Sequence, residues 1–247
     1  MIIVGIEFIG GLGNALFQFG FIYSLAKKHN CNFTITNLDS WSSPHQTISY
    51  DWLKKLIRGC SNFVYEFDGE YNVYNESHPF VYQCIKHIKT NTLFKGYYQC
   101  VSYIDDKVYE LIFNSLPNVD NCHDAIFVHV RLGDYTNIPE AQLKKNYYQD
   151  ALALFPLGVQ VHVFSNDMVG AKFVVPNADR YIDVDEVTSI ALMARYTLGG
   201  ICANSSFSWW ASQLNFSICK LIVMPLPWGQ KMPDEPIDLY PKNVVLV

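Results

Sequence analysis

Apolar and polar positions alternate in two regimes along the chain. A short apolar run over 2–8 predicts a strand, and a glycine-rich turn at 10–13 follows it. Asn14 then reads as the N-cap of a helix reaching His29, where Lys27, Lys28 and His29 suit the negative helix end and Asn30 suits a left-handed cap. A second strand is predicted over 31–36. The stretch 37–115 is aromatic and irregular, with helical patches at 50–58 and 78–89. From Ala125 the pattern is regular: strand 125–130, helix 145–155, strand 160–164, strand 172–175, helix 186–198, strand 200–203, helix 206–216 and strand 220–224. Val187, Ile190, Ala191 and Ala194 make one apolar face of the helix predicted over 186–198. Alternating strands and helices predict an α/β class. The polar, turn-rich stretch 115–124 is the expected linker between a domain over 1–118 and one over 125–247.

Half of the 247 residues are hydrophobic and 15% are aromatic, enough for a large core and against disorder. The net charge of -5, with no block of Lys or Arg, argues against nucleic acid as a partner. Seven scattered Cys without a C-x-x-C pair argue against a zinc ribbon and predict reduced thiols. The start MIIVGIEFIGG lacks the basic flank of a signal peptide, and no apolar run spans a bilayer, so a cytoplasmic protein without a transmembrane segment is expected. The sequons at Asn32, Asn75, Asn204 and Asn215 then carry little weight. The oligomeric state is not legible.

Candidate chemistry gathers where strands end. Ile126–Val130 reads as a buried strand that runs into Arg131, Leu132, Gly133, Asp134 and Tyr135. Open α/β sheets bind ligands beyond the carboxyl ends of their strands, and a planar guanidinium grips phosphate through two parallel hydrogen bonds. Period-two alternation puts His129 and Arg131 on one side of the strand. The plainer reading is a structural Arg131–Asp134 pair with His129 satisfied in the core. Ser165, Asn166 and Asp167 end the next strand and suit a base or ribose, or simply a turn or helix cap. Asn204, Ser205, Ser206 and Phe207 follow a further strand. One serine there caps a helix, whose free N–H groups could hold a phosphate. Trp210 and Leu214 are expected to pack inward. Gly10–Gly13 could let backbone approach an anion, although the third glycine of a dinucleotide fingerprint is missing, since Leu16 occupies its place. Asp183 and Asp185 form a D-x-D pair that fits a helix cap better than a metal site.

Four ordered motifs resemble those of the α-1,2-fucosyltransferase family (glycosyltransferase family 11) and its α-1,6- and protein O-fucosyltransferase relatives. They are GGLGNALFQ (10–18), HVRLGDY (129–135), FSND (164–167) and NSSFSWW (204–210). Val223-Met-Pro225 and Trp228 are also similar. The resemblance implies a GT-B-like architecture, two Rossmann-like domains with a cleft between them and the nucleotide mostly on the C-terminal one. It implies inverting transfer of L-fucose from GDP-fucose to a glycan acceptor, such as O2 of a terminal galactose, with no cofactor and no metal. By position, Arg131 would hold the β-phosphate, His129 and Asp167 would meet the guanosine, and Ser205 and Ser206 would bind the diphosphate. Asn204, Phe207 and Ser165 would line the same donor site, and Gly11, Gly13 and Asn14 would close on it from the other domain. Asp134 would serve as base or orient Arg131. Three departures bear on the donor: Leu132 for a second arginine, which removes a phosphate-side cation, Ala15 for glutamine, and Asn166 for aspartate. They leave open another nucleotide sugar, such as a rhamnose donor. A catalytically silent sugar- or nucleotide-binding protein is the alternative outside the enzymes, and a nicotinamide oxidoreductase a distant third.

Overall fold

The structure is a computed structural model and describes residues 1–42, 50–65, 69–230, 232 and 237–247. The chain forms two compact units, Met1–Ser115 with Ile237–Tyr240, and Leu116–Pro236 with Pro241–Val247. Their boundary falls at the polar stretch after Ser115, whose end is docked on the second unit: Cys122 N–H donates to Arg195 O (3.0 Å) and Cys122 O accepts from Thr197 N–H (2.8 Å).

The first unit holds β1 (Ile3–Ile6), α1 (Leu12–His29), β2 (Asn32–Ile35), α2 (Asp51–Arg58), β3 (Asn72–Asn75), β4 (Thr92–Lys95) and α3 (Asp106–Ser115). Its sheet runs β2-β1-β4-β3, every pair parallel. Helix α1 is buried along most of its length because nearly every position from Leu12 to Ala26 is apolar or small. Phe21 stacks on Tyr98, with centroids 3.8 Å apart, and meets Phe94 edge-on. Gly11, not Asn14, is the N-cap of α1, and Asn14 sits in its first turn. The turn before it needs Gly10, whose φ is +81°. Asn30 does take the left-handed cap. No helix forms over 78–89. Pro79 offers no N–H, Phe80 has φ +65°, and the N–H groups of Tyr82 and Gln83 donate to side chains instead of a helical ladder.

The second unit holds β5 (Ala125–Val130), α4 (Tyr147–Leu152), β6 (Gln160–Ser165), α5 (Met168–Val174), β7 (Arg180–Ile182), α6 (Glu186–Met193), β8 (Gly199–Ile201), α7 (Ser206–Gln213), β9 (Leu221–Met224) and β10 (Val245–Leu246). Its parallel sheet runs β10-β9-β8-β5-β6-β7. The strand expected over 172–175 is the end of helix α5, and the strand lies later, at Arg180–Ile182. Asp167 decides this by capping α5: its carboxylate accepts the Gly170 N–H at 2.9 Å. Asp185 likewise caps α6 by accepting from Thr188 N–H (2.9 Å), so the D-x-D pair is a cap. Ser205 caps α7, while Trp209, Trp210 and Leu214 are buried. All seven cysteines are free thiols.

Alternation along β5 sorts the second unit's core. Ile126, Val128 and Val130 pack with Tyr147, Ala151, Val163 and Ala171, from α4, β6 and α5. Phe127 points the other way and meets Tyr196 edge-on. Strand β8 fits between β5 and β9 because two of its three residues are glycine: a Cβ on Gly200 would lie 2.2 Å from Phe127 O. Gly200→Ala should therefore destabilise the protein by about 2–3 kcal/mol. Urea unfolding checks this, and an unchanged midpoint would show that the strands can separate freely.

Candidate active site

The strand order contains a reversal. From β5 the chain moves outward to β6 and then β7, and from β8 it moves outward the other way to β9. Strands β5 and β8 are neighbours, so the carboxyl ends of two strands whose connections diverge lie side by side. Ligands of open α/β sheets bind at such a point. Here it is flanked by Val130-Arg131 after β5 and Ala203–Ser206 after β8.

Direct contacts draw three of the sequence motifs together. Phe207, in the first turn of α7, lies against His129 with ring centroids 5.4 Å apart. Tyr135 donates its hydroxyl to Asn204 O (3.4 Å), and Asn204 Nδ2 donates to Ala141 O (2.6 Å). Asn166, after β6, accepts the Leu132 N–H through Oδ1 at 3.0 Å. A Cβ on Gly133 would sit 2.3 Å from Asn166 Nδ2, so that glycine is required for the two loops to approach. Gly133 also has φ +49°.

Arg131 is the centre of the group. Its guanidinium is 2.7 Å from Asp134 Oδ1, with side-chain exposures of 10% and 44%, and it lies 5.2 Å from the centre of the Tyr135 ring. The Arg131–Asp134 pair anticipated from the sequence is thus present. His129 is 4% exposed. Its Nδ1 is buried without a hydrogen-bond partner among the described residues, so the ring is not a satisfied core histidine. Burial, and then the neighbouring Arg131 charge, lower its pKa to about 3. Tyr148 donates to His129 O (3.1 Å) and steadies the strand end.

Leu132 is partly exposed and follows Arg131 beyond the end of β5. It packs on the apolar cluster of α4, α5 and β6, and a Cβ on Gly170 would lie 2.6 Å from its Cδ1. In this chain position 132 is a packing position that also borders a cavity of about 330 Å³ with Arg131, Tyr135 and Lys145.

The serines divide their roles. Ser205 is buried and accepts the Phe207 N–H as N-cap (3.4 Å), while Ser206 is partly exposed at the first helical position. Ser165 Oγ and Asp167 close a tight turn, Oγ donating to Asp167 O (3.1 Å) and accepting from Asp167 N–H (3.0 Å). Gly11, Gly13 and Asn14 lie in the first unit, at the carboxyl end of β1, where Asn14 Oδ1 accepts from Gln99 (2.7 Å). Sequence reasoning missed Tyr135 and the bracing role of Asn166. Tyr135 stood inside the motif, and Asn166 was visible only as a departure from it. Among the described residues, no group of three or more His, Cys, Asp or Glu could hold a metal ion, and no helix is long and apolar enough to cross a membrane.

Residues 68–233, well over half of the chain, match the profile described as Glycosyl transferase family 11. The chain belongs to this family. This places it among the glycosyltransferases. It is 29% identical over 181 residues to the O-antigen biosynthesis glycosyltransferase WbnK of Escherichia coli, which covers 61% of this chain and 60% of that protein. It is 24% identical over 293 aligned positions to an alpha-1,2-colitosyltransferase of Escherichia coli, covering 100% of this chain and 99% of that protein. The crystal structure of fucosyltransferase NodZ from Bradyrhizobium superposes with a TM-score of 0.53 at 14% identity, over 85% of this chain and 91% of that one. At that identity the likeness concerns the fold, which is the expected α/β, GT-B-like class.

Two outcomes follow from the site's geometry. In Asn166→Ala the Leu132 amide loses its acceptor, and its hydrogen exchange should speed up by about tenfold, returning in Asn166→Asp, which keeps the oxygen. Equal exchange in all three proteins would remove Asn166 from the bracing role. Buried, neutral His129 binds a proton more readily in the unfolded chain. Stability should therefore fall as pH drops below about 6.5, with a slope of up to about 1.4 kcal/mol per unit until pH nears 3. Denaturant titrations of wild type and His129→Gln between pH 7 and 5 test this, and the variant should show the shallower slope. Identical slopes would show that the ring is solvated.

Proposed function

We propose that this family 11 enzyme transfers L-fucose from GDP-fucose, with inversion, to a hydroxyl of a glycan, O2 of a terminal galactose being the favoured acceptor. One observation carries the reading: a nearly buried arginine stands at the β5–β8 strand ends beside a serine-capped helix start, in a chain of this family. Breaking the sugar–phosphate bond leaves negative charge on the departing diphosphate. Fixed donors aimed at that charge lower the barrier more than any other device available here. Arg131 takes the β-phosphate, and the positive end of the α7 dipole at Ser206 supports the diphosphate. His129 and Asp167 take the guanosine, and Ser165, Asn204, Ser205 and Phe207 shape its surroundings. Asp134 orients Arg131 through their 2.7 Å ion pair. The assignment needs no metal and no cofactor. NodZ, which shares the fold, has been crystallised with GDP and soaked with GDP-fucose.

A second reading has its own support. The relative matched along the whole chain is named an alpha-1,2-colitosyltransferase. Colitose is fucose without its 3-hydroxyl, so the two donors pose the same problem to the diphosphate site and differ only in the sugar pocket.

The test is a panel of GDP-fucose, GDP-colitose, a rhamnose donor and UDP-hexoses, with nucleotide release followed with and without simple galactosides. Acceptor-dependent release of GDP from GDP-fucose is the expected result, and preference for GDP-colitose would shift the reading to its sibling. Arg131→Ala should lower turnover by about 10²–10³-fold with the fold intact. Release from no donor would contradict the transferase reading of this site, and full turnover in the folded variant would remove Arg131 from the mechanism.

A further inference from the structure

A second cavity, of about 430 Å³, opens in the first unit between the later half of α1 and the irregular segment around Tyr82–Ile85. It is not at the strand ends where chemistry is expected. Helix α1 leaves the carboxyl end of β1 and runs back along the sheet. Lys27 therefore lies about 20 Å from the Gly11–Asn14 turn, at 1.5 Å per residue.

Its construction is amphipathic. Phe21, Leu25 and Ile104 contribute apolar surface, and Tyr82 and Tyr103 present rings whose centroids are 5.0 Å apart at 48°. Polar groups stand beside them: Ser102 and the Lys27–Asp105 ion pair at 2.8 Å. Tyr82 is 36% exposed, yet its backbone is held firmly. Its N–H donates to Asp238 Oδ2 (2.7 Å), the next N–H donates to the Tyr103 hydroxyl (2.9 Å), and Ile85 O is 3.2 Å from His29 Nε2. The platform is thus fixed before any ligand arrives.

The ligand class follows from these groups. The size is that of a small-molecule site, and the mixture of aromatic faces with a few fixed polar groups suits a ring that is apolar on its faces and polar at its rim. The C–H faces of a pyranose, slightly positive, pack on the negative faces of aromatic rings. Of the two lysines at the cavity, Lys27 is paired with Asp105, and Lys28 stands with it at the carboxyl end of α1, where the negative end of the helix dipole offsets its charge and disfavours an anion. Sugar hydroxyls can donate to Asp105 and accept from Lys27 in the same geometry.

We propose that this cavity is a secondary glycan subsite, which takes one pyranose unit of an oligosaccharide against Tyr82 and Tyr103, away from the Gly11–Asn14 turn at the carboxyl end of β1. The proposal deepens the glycan-acceptor part of the function proposed above and rests on that reading for its biological sense, although binding is measured independently of turnover. Galactose-terminated oligosaccharides of one to six units are titrated into the full chain in saturating GDP, with ligand-observed NMR as readout. Wild type and Tyr82→Phe should bind the longer members, and Tyr82→Ala should lose at least tenfold in affinity with an unchanged melting temperature. In transfer assays Tyr82→Ala should raise KM for long acceptors and leave methyl galactoside turnover unchanged. Equal binding by wild type and Tyr82→Ala, or no binding of any oligosaccharide by wild type, overturns the subsite. Absence of transfer with Tyr82-dependent binding intact overturns the proposed donor chemistry instead.

Discussion

The hydrogen bond from the Leu132 N–H to Asn166 Oδ1, 3.0 Å long, joins the turn after β5 to the turn after β6. The geometry of Arg131 depends on it. A cation at the end of a strand is useful only if the chain turns sharply behind it, so that the side chain cannot follow the sheet outward. Gly133, in the left-handed region and without a Cβ, allows that turn and the contact with Asn166. Tyr135 then reaches Asn204 O and ties the loop to the strand end from which α7 departs. Each link is a short-range bond between loops on adjacent strands, so the arrangement needs no large motion to assemble.

The period of the β-strand separates packing from chemistry. Val128 and Val130 pack with Leu132 on the side of α4 and α5, whereas Phe127 and His129 meet Tyr196 and Phe207 on the other. One side is filled by apolar groups and the other carries a buried imidazole, with the guanidinium beyond the strand's end. Leu132, just beyond the strand, suits the apolar cluster it packs on. The same separation explains how a chain of net charge -5 can present a cation to an anionic ligand, because the charge is local and nearly buried.

Much of the second unit was legible in the sequence, because its strands are uninterrupted apolar runs and its loops carry strong caps. Strand β5 falls where the pattern puts it, as does the apolar face of α6. The Phe173–Val175 run misled because a short apolar stretch ends a helix as readily as it makes a strand, and the deciding signal was the Asp167 cap before it. In the first unit, strands of four residues and aromatic loops gave little period to read. The segment 78–89 has helical composition, but its backbone donors are taken by Asp238 and Tyr103, which are distant in sequence. Only a tertiary structure can reveal such partners. Site residues were legible as types and positions, but their partners were not: Asn166 looked like a substitution in a nucleotide site and serves as a brace.

Family membership places the chain among glycosyltransferases, and the geometry of the second unit narrows attention to the β5–β8 strand ends. The most direct measurement is a titration of GDP into isotopically labelled protein, followed by backbone amide and arginine side-chain NMR signals. The account predicts saturable shifts centred on Arg131, His129 and the amides of Ser205–Phe207. Shifts elsewhere, or none at millimolar GDP, would contradict it.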